Sequence, residues 1–325
     1  MKLTPPSWRP FPWRAGELDA YRIRAWRRAR YAGSGSHLTR RRGQSLEFRD
    51  FVPYTPGDDV RYIDWRASLR YRSQNDLLVR QFQAEERMTF IISLDAGPTM
   101  WLPQALPKLL VAWWLAQTMA WIALSFEERV YLHLLFGEKE KPMVLAHPAQ
   151  RRHLSQHFSR WAERIRPTDS LNLAPLYPLL KPATVWIIIT DLYFADSPMA
   201  DARLSAQATS LARLLKETRR GYRWNLWIDL DSWPFERKQL EEGAYRIEGP
   251  GLREPPPAYE ISATALAAIQ QRIDAMKASF ITESDLPATD VSHWRWPTEH
   301  PSAEAFFRRQ FMTDAILEQL FQRTP

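Results

Sequence analysis

The sequence predicts an α/β fold: a doubly wound, mostly parallel sheet preceded by a small β-rich subdomain. Three observations carry this. From residue 88 onward, apolar strand-like runs alternate with helical stretches. The runs FIISL, TVWIIIT and WNLWIDL are almost unbroken by polar residues, the signature of parallel strands buried on both faces. Residues 33–87 instead read as a Gly- and Ser-rich loop followed by short strands and turns, with Thr55-Pro56-Gly57-Asp58 an evident turn.

Taken in order, residues 1–32 form a basic N-terminal segment. Pro5, Pro6, Pro10 and Pro12 make its first part irregular, and Glu17 to Tyr31 is expected as an arginine-rich helix. The β-rich subdomain spans 33–87, the α/β domain 88–248, and a Pro-rich connection with C-terminal helices 249–325. Strands are expected at 88–95, 129–136, 142–146, 184–190 and 222–230, with helices near 104–125, 148–164, 172–181 and 201–220. Helix 262–280, a short strand near 290–295 and a helix over 302–320 complete the chain. Leu109 to Ser125 approaches the minimum apolar length of a membrane span, yet Gln117 and Thr118 interrupt it and strands flank it. It is expected as the buried helix of a βαβ crossover.

The chain has 325 residues, 44 Lys plus Arg against 37 Asp plus Glu, and a formal net charge of +7. All of this excess lies before residue 88: residues 1–87 carry 18 basic and 10 acidic side chains, and residues 88–325 carry 26 and 27. The arginines concerned are Arg22, Arg24, Arg27, Arg28 and Arg30 in the expected helix and Arg40, Arg41 and Arg42 in the loop. They are expected to form a solvated basic surface, with contact to an anionic membrane or an acidic partner as the other readings. The absence of cysteine excludes disulfides, iron–sulfur clusters, thiolate zinc sites and a Cys nucleophile. The N-terminus lacks the apolar core of a signal peptide, so the expected location is cytoplasmic, with peripheral attachment at the inner membrane face through the arginine helix left open.

Ligands of open parallel sheets bind outside the carboxyl ends of the strands. Two strands end there in aspartate, Asp95 and Asp191, with Thr99 and Thr168 on neighbouring loops. Such an oxygen-rich set suits Mg²⁺ or Ca²⁺; equally, each aspartate could cap the segment after its strand. His153 and His157 stand at i and i+4, a zinc-compatible spacing, but no third ligand is near them in sequence. A phosphate loop, a G-x-S-x-G elbow and an H-E-x-x-H helix are all missing, so no catalytic residue is assigned.

The segment Gly43 to Arg87 carries Tyr54, Pro56, Gly57, Asp58, Asp59, Arg61, Ile63, Asp64 and Trp65, then Leu69-Arg70 and Glu86-Arg87. It resembles the signature of the bacterial domain-of-unknown-function family 58, Y-x-P-G-D-D-x-R-x-I-D-W followed by A-R and E-R pairs, with Leu69 in place of the usual alanine. The resemblance implies a von Willebrand factor A-like domain. In that fold a metal-ion-dependent adhesion site uses D-x-S-x-S, a loop threonine and a later aspartate. Carried over, Asp95 matches the first aspartate, Thr99 the second serine and Asp191 the last aspartate. Gly97 stands where the first serine would be. Thr168 is the best match to the loop threonine, with Asp169 and Ser170 competing. The implied cofactor is Mg²⁺ or another divalent cation in a degenerate site, with a vestigial, metal-free site as the other reading.

The resemblance further implies a non-enzymatic adaptor that works with a MoxR-type AAA+ ATPase and a client protein. Many members carry membrane helices before the signature; here about 45 residues precede it and none form an apolar span. The signature residues Tyr54, Gly57, Asp58, Asp59, Arg61, Asp64, Trp65 and Arg70 are expected to hold the subdomain's shape or meet a partner. Two other classes remain: nucleic-acid or anionic-membrane binding through the basic N-terminal region, and a hydrolase in which Asp95 and Asp191 hold Mg²⁺. The first lacks a recognised nucleic-acid fold and the second a general base.

Overall fold

The computed structural model describes residues 11–14, 16–23, 46–55, 60–70, 77–84, 88–137, 141–165, 170–181, 184–194, 204–219, 223–242, 262–299 and 302–323. They fall into two compact units, residues 34–87 and the remainder, 1–33 with 88–325.

In chain order the strands are β1 (Tyr21–Ile23), β2 (Leu46–Pro53), β3 (Leu78–Ala84), β4 (Thr89–Leu94), β5 (Arg129–Leu134), β6 (Met143–Leu145), β7 (Thr184–Thr190), β8 (Trp224–Asp231), β9 (Val291–Arg295) and β10 (Phe321–Arg323). The α-helices are α1 (Trp65–Arg70), α2 (Lys108–Ser125), α3 (Leu154–Ala162), α4 (Ala206–Arg219), α5 (Trp233–Glu242), α6 (Ala263–Ser284), α7 (Ala303–Thr313) and α8 (Ala315–Leu320).

The larger unit is built on a six-stranded sheet in the order β6-β5-β4-β7-β8-β9. All neighbours are parallel except β6, which closes the β5 edge antiparallel. Alternate residues supply the two faces. Phe90, Ile92, Val130, Ile187 and Ile228 face one apolar cluster, whereas Ile91, Trp186, Ile188 and Trp227 face another that contains Leu211 and Leu215 of α4 and Phe280 of α6. Burial on both faces is why these strands read as continuous apolar runs. The chain passes from β4 to β5 on one side and returns to β7 on the other, so the order reverses beside β4.

Helix α2 makes the β4 to β5 crossover. Every residue in it except Trp121 and Ser125 is buried, because the sheet, α3, α7 and the N-terminal segment surround it. A helix apolar on all sides belongs in an interior. Its central polar residues are provided for: the Thr118 hydroxyl donates to the Trp114 carbonyl at 2.7 Å and accepts from Trp13 Nε1 at 2.9 Å. Among the described residues no helix is long and apolar enough to cross a membrane.

Several expectations are corrected. The helix expected from Glu17 does not form over its described part: Glu17–Ala20 is a 3₁₀ turn and Tyr21–Ile23 is β1, paired antiparallel with β10. Burial of Leu18 and Tyr21, and edge contacts of the Trp13 ring with Tyr21, Phe307 and Phe311, outweigh the local helical preference. Arg24 to Tyr31 lies outside the described residues. The helix expected over 172–181 is only a 3₁₀ turn, Ala174–Leu176. Pro175 and Pro178 each remove a backbone donor there, and the Asn172 N–H is drawn to the Leu135 carbonyl at 2.7 Å. The helix expected over 302–320 breaks at Asp314, whose carboxylate caps α8 through the N–H groups of Ile316 and Leu317, both at 2.9 Å.

In the smaller unit β2 pairs antiparallel with β3, with a bulge between Phe48 and Asp50. Asp64 begins α1: its Oδ1 accepts the Ala67 N–H at 2.9 Å, while Arg80 of β3 donates to Oδ2 through Nε at 2.7 Å.

Candidate functional site at the strand tips

Asp95 and Asp191 directly follow Leu94 and Thr190, the last residues of the adjacent central strands β4 and β7. The parallel pairing of Leu94 with Ile189 brings their tips together where the strand order reverses. The Asp95 N–H extends that pairing by donating to the Ile189 carbonyl at 3.0 Å.

Both carboxylates are buried and committed. Asp95 Oδ1 accepts the Gly97 N–H at 2.7 Å, and Oδ2 accepts the Thr190 hydroxyl at 2.6 Å. Burial, and secondly the neighbouring charge of Asp191, push the Asp95 pKa up to about 7. Asp191 Oδ1 accepts the Tyr193 N–H at 3.0 Å and the Thr99 hydroxyl at 3.3 Å. Each aspartate thus closes a turn onto the backbone two residues ahead, the capping role open to it from sequence. Leu192, at φ 62, takes the left-handed conformation that turns Tyr193 back onto Asp191.

The remaining oxygen, Asp191 Oδ2, lies 2.8 Å from the ammonium of Lys108, the first residue of α2. Lys108 is 1% exposed. Its Nζ is also 3.8 Å from Glu236 Oε1 and 5.3 Å from the centre of the Tyr193 ring. Burial by itself lowers the Lys108 pKa, but Asp191 and Glu236 outweigh it, and the ammonium is held above its ordinary range.

The carried-over metal set does not fit Mg²⁺ as these residues stand. The ammonium already takes the Asp191 oxygen that would face an ion, and both Asp95 oxygens accept hydrogen bonds from the protein. A Cβ at position 97 would lie 3.0 Å from Asp95 Oδ1, so the glycine that removes a hydroxyl also permits this close turn. Thr168 lies outside the described residues, as do Asp169 and the turn Pro56-Gly57-Asp58-Asp59. Among the described residues no group of three or more His, Asp or Glu is placed to hold a metal, so His153 and His157 gain no third ligand.

A second charged group, with Asp229, Asp231 and Lys277 buried and His293 exposed, sits toward the ends of β8 and β9. Lys277 of α6 is 2.7 Å from Asp229 Oδ2 and 3.7 Å from Asp231 Oδ1. His293 Nδ1 is 2.9 Å from the same Asp229 oxygen. Neither lysine was singled out by motif. Lys108 reads in sequence as the charged boundary of an apolar run, and Lys277 as one cation on a long helix. The available signal was the pair of aspartates in WNLWIDLD, which share one face of a strand and demand a counter-charge.

The signature residues are spread differently. The Tyr54 N–H donates to the Leu77 carbonyl at 2.6 Å, and Asp64 is turned inward. The Ala67 N–H, and secondly Arg80, hold the Asp64 carboxyl below the ordinary carboxylate range. Arg61, Trp65, Arg66, Leu69 and Arg70 are exposed. Of the basic surface only Arg22 is described: it donates to the carbonyls of Asp19 at 2.7 Å and Tyr21 at 3.2 Å and lies over the Phe126 ring. Arg24, Arg27, Arg28, Arg30, Arg40, Arg41 and Arg42 lie outside the described residues.

Residues 50–209 match the model of a family described as "Protein of unknown function DUF58". The matched segment includes α1, both strand-tip aspartates and Lys108. Among solved structures, the crystal structure of the conserved hypothetical protein BatB from Bacteroides thetaiotaomicron aligns with 70% of this chain and 100% of its own, at 10% identity and a TM-score of 0.33. A comparison with curated proteins found no match.

Proposed function

We infer that this chain is a non-enzymatic protein-binding adaptor of the DUF58 type, with a von Willebrand factor A-like body, acting beside a MoxR-type AAA+ ATPase on a client protein. The observation that carries this reading lies within the family-matched segment. Val60, Trp65 and Leu69 are 61%, 62% and 83% exposed, and each is followed by an exposed arginine, Arg61, Arg66 or Arg70. Exposed tryptophan and arginine are the residue types that dominate binding energy at protein interfaces. Asp64, the acidic residue of this stretch, is bound to Ala67 and Arg80, so the strip presents apolar side chains framed by positive charge. Its complement is an apolar surface edged with carboxylates on the ATPase.

The strand-tip geometry supports the same reading independently. Its carboxylates are consumed in holding loops together, which suits a rigid scaffold better than proton transfer or water activation.

The test is a binding titration between the purified full chain and a MoxR-type ATPase from the same genome. The double substitution Trp65→Ala with Leu69→Ala is expected to weaken Kd by about tenfold or more while leaving the urea midpoint of the larger unit unchanged. Equal affinity in the variant refutes this surface. Absence of binding by the unsubstituted chain refutes the adaptor reading.

A further inference from the structure

We propose that Lys108 is the resident cation of the strand-tip site: its tethered ammonium occupies the position a divalent metal would need, making the site metal-independent, and its removal would convert the site into one that binds a divalent cation.

Two carboxylates side by side at 0% and 1% exposure are unstable without a positive charge between or beside them. A lysine at the first position of a helix is itself poorly placed, since the positive end of the helix dipole repels it, and burial adds a desolvation cost. Lys108 bears both penalties, so the carboxylates must be what holds it there. Its ammonium meets Asp191 at 2.8 Å, Glu236 at 3.8 Å and the face of the Tyr193 ring.

A metal would have to compete on unequal terms. Lys108 is covalently attached, so its positioning entropy is lost on folding, not on binding. Mg²⁺ or Mn²⁺ requires oxygen atoms at about 2.1 Å in a near-octahedral array. An ammonium 2.8 Å from Asp191 Oδ2 leaves no room for an ion on the same lone pairs. The Thr99 hydroxyl, the other transferred ligand, has been turned into a donor toward Asp191 Oδ1 and the Tyr193 carbonyl. Truncating Lys108 would remove the ammonium, leave Asp95, Asp191 and Thr99 in place, and open a cavity in which the Asp191 carboxylate has lost its counter-charge. Such a cavity is stabilised by a divalent cation and water.

This inference is independent of the adaptor reading, since metal content is measured without a partner. The metal-stripped full chain would be titrated with Mn²⁺, following free Mn²⁺ by electron paramagnetic resonance and Tm by differential scanning fluorimetry. The unsubstituted chain is expected to bind no Mn²⁺ at millimolar concentration and to show the same Tm with EDTA as with Mn²⁺. Lys108→Ala is expected to bind a single Mn²⁺ and to gain Tm with it, and Lys108→Ala with Asp191→Asn to lose both effects. Stoichiometric Mn²⁺ binding by the unsubstituted chain that Asp191→Asn abolishes would overturn the proposal, and this arm does not depend on a variant folding. So would a folded Lys108→Ala chain that takes up no Mn²⁺. If Lys108→Ala folds poorly without metal, refolding it with and without Mn²⁺ decides the point: recovery with Mn²⁺ supports the proposal and equal yields refute it.

Discussion

His133 provides a sharp test of how the sheet interior is wired. It lies on β5 opposite Ser93 of β4 and is 1% exposed. Trp186 Nε1 donates to Ser93 Oγ at 2.9 Å, Ser93 Oγ stands 3.0 Å from His133 Nδ1, and His133 Nε2 is 2.7 Å from the Asn172 carbonyl. A neutral ring protonated on Nε2 satisfies this chain, with Nε2–H donating to the Asn172 carbonyl and the Ser93 hydroxyl donating to Nδ1. Burial lowers the His133 pKa from 6.5 to about 4, partly offset by the Asn172 carbonyl. The unfolded chain therefore binds a proton between pH 6.5 and 4 that the folded chain refuses. Stability from this group is complete above pH 6.5 and falls with decreasing pH through that window, by about 1.4 kcal/mol per unit and about 3 kcal/mol in all. His133→Gln keeps an N–H for the Asn172 carbonyl and removes the titration. Urea unfolding followed by tryptophan fluorescence should show the unsubstituted chain losing about 3 kcal/mol relative to the variant between pH 7 and pH 4. A stability difference that stays constant over that range would falsify the assignment of a neutral His133.

Asp95 titrates in the opposite sense. Its folded pKa is raised, so its contribution is present below the ordinary carboxylate pKa and is lost as pH rises through about 7. Asp95→Asn should therefore gain on the unsubstituted chain between pH 5 and pH 8 in the same urea assay; a gap independent of pH rules this out. Arg308 of α7 donates to both Glu17 oxygens, at 2.7 and 3.1 Å, and covers the Trp13 ring at 4.7 Å. Arg308→Ala should cost about 1–2 kcal/mol and expose the Trp13 region to proteolysis first; an unchanged cleavage pattern and urea midpoint would contradict that.

The parts of the fold that depend on local pattern were legible in the sequence. Strands β4, β7 and β8 are apolar runs of the right length, and α2 lies between strands where a crossover requires a helix. Asp95 and Asp191 were each legible as the residue that ends an apolar strand, and the parallel pairing of β4 with β7 is what brings them together. What escaped was decided at a distance. Tyr21–Ile23 lies in a stretch with a helical sequence pattern, but its ladder partner, Phe321–Arg323, is far away in sequence. Helix α5 begins Trp233-Pro234, and a proline that reads as a breaker is tolerated in a first turn, where its missing donor costs nothing. Lys108 bears no motif, and only the folded crossover carries its ammonium to the tip of a strand formed much later. Thr99 lies 3.3 Å from Asp191 Oδ1 beside Asp95, but the lysine that meets Asp191 is written far from it in the sequence.

The pairing of β1 with β10 has a consequence for biosynthesis. Tyr21–Ile23 is synthesised long before Phe321–Arg323 and can complete its ladder only when that strand has emerged. Trp13 and Leu18 likewise wait for Phe307 and Phe311 of α7 before their side of the core is sealed. Until then the nascent chain exposes an apolar segment whose partner is not yet made, a state chaperones recognise. The larger unit closes as a clasp, β1 waiting for β10.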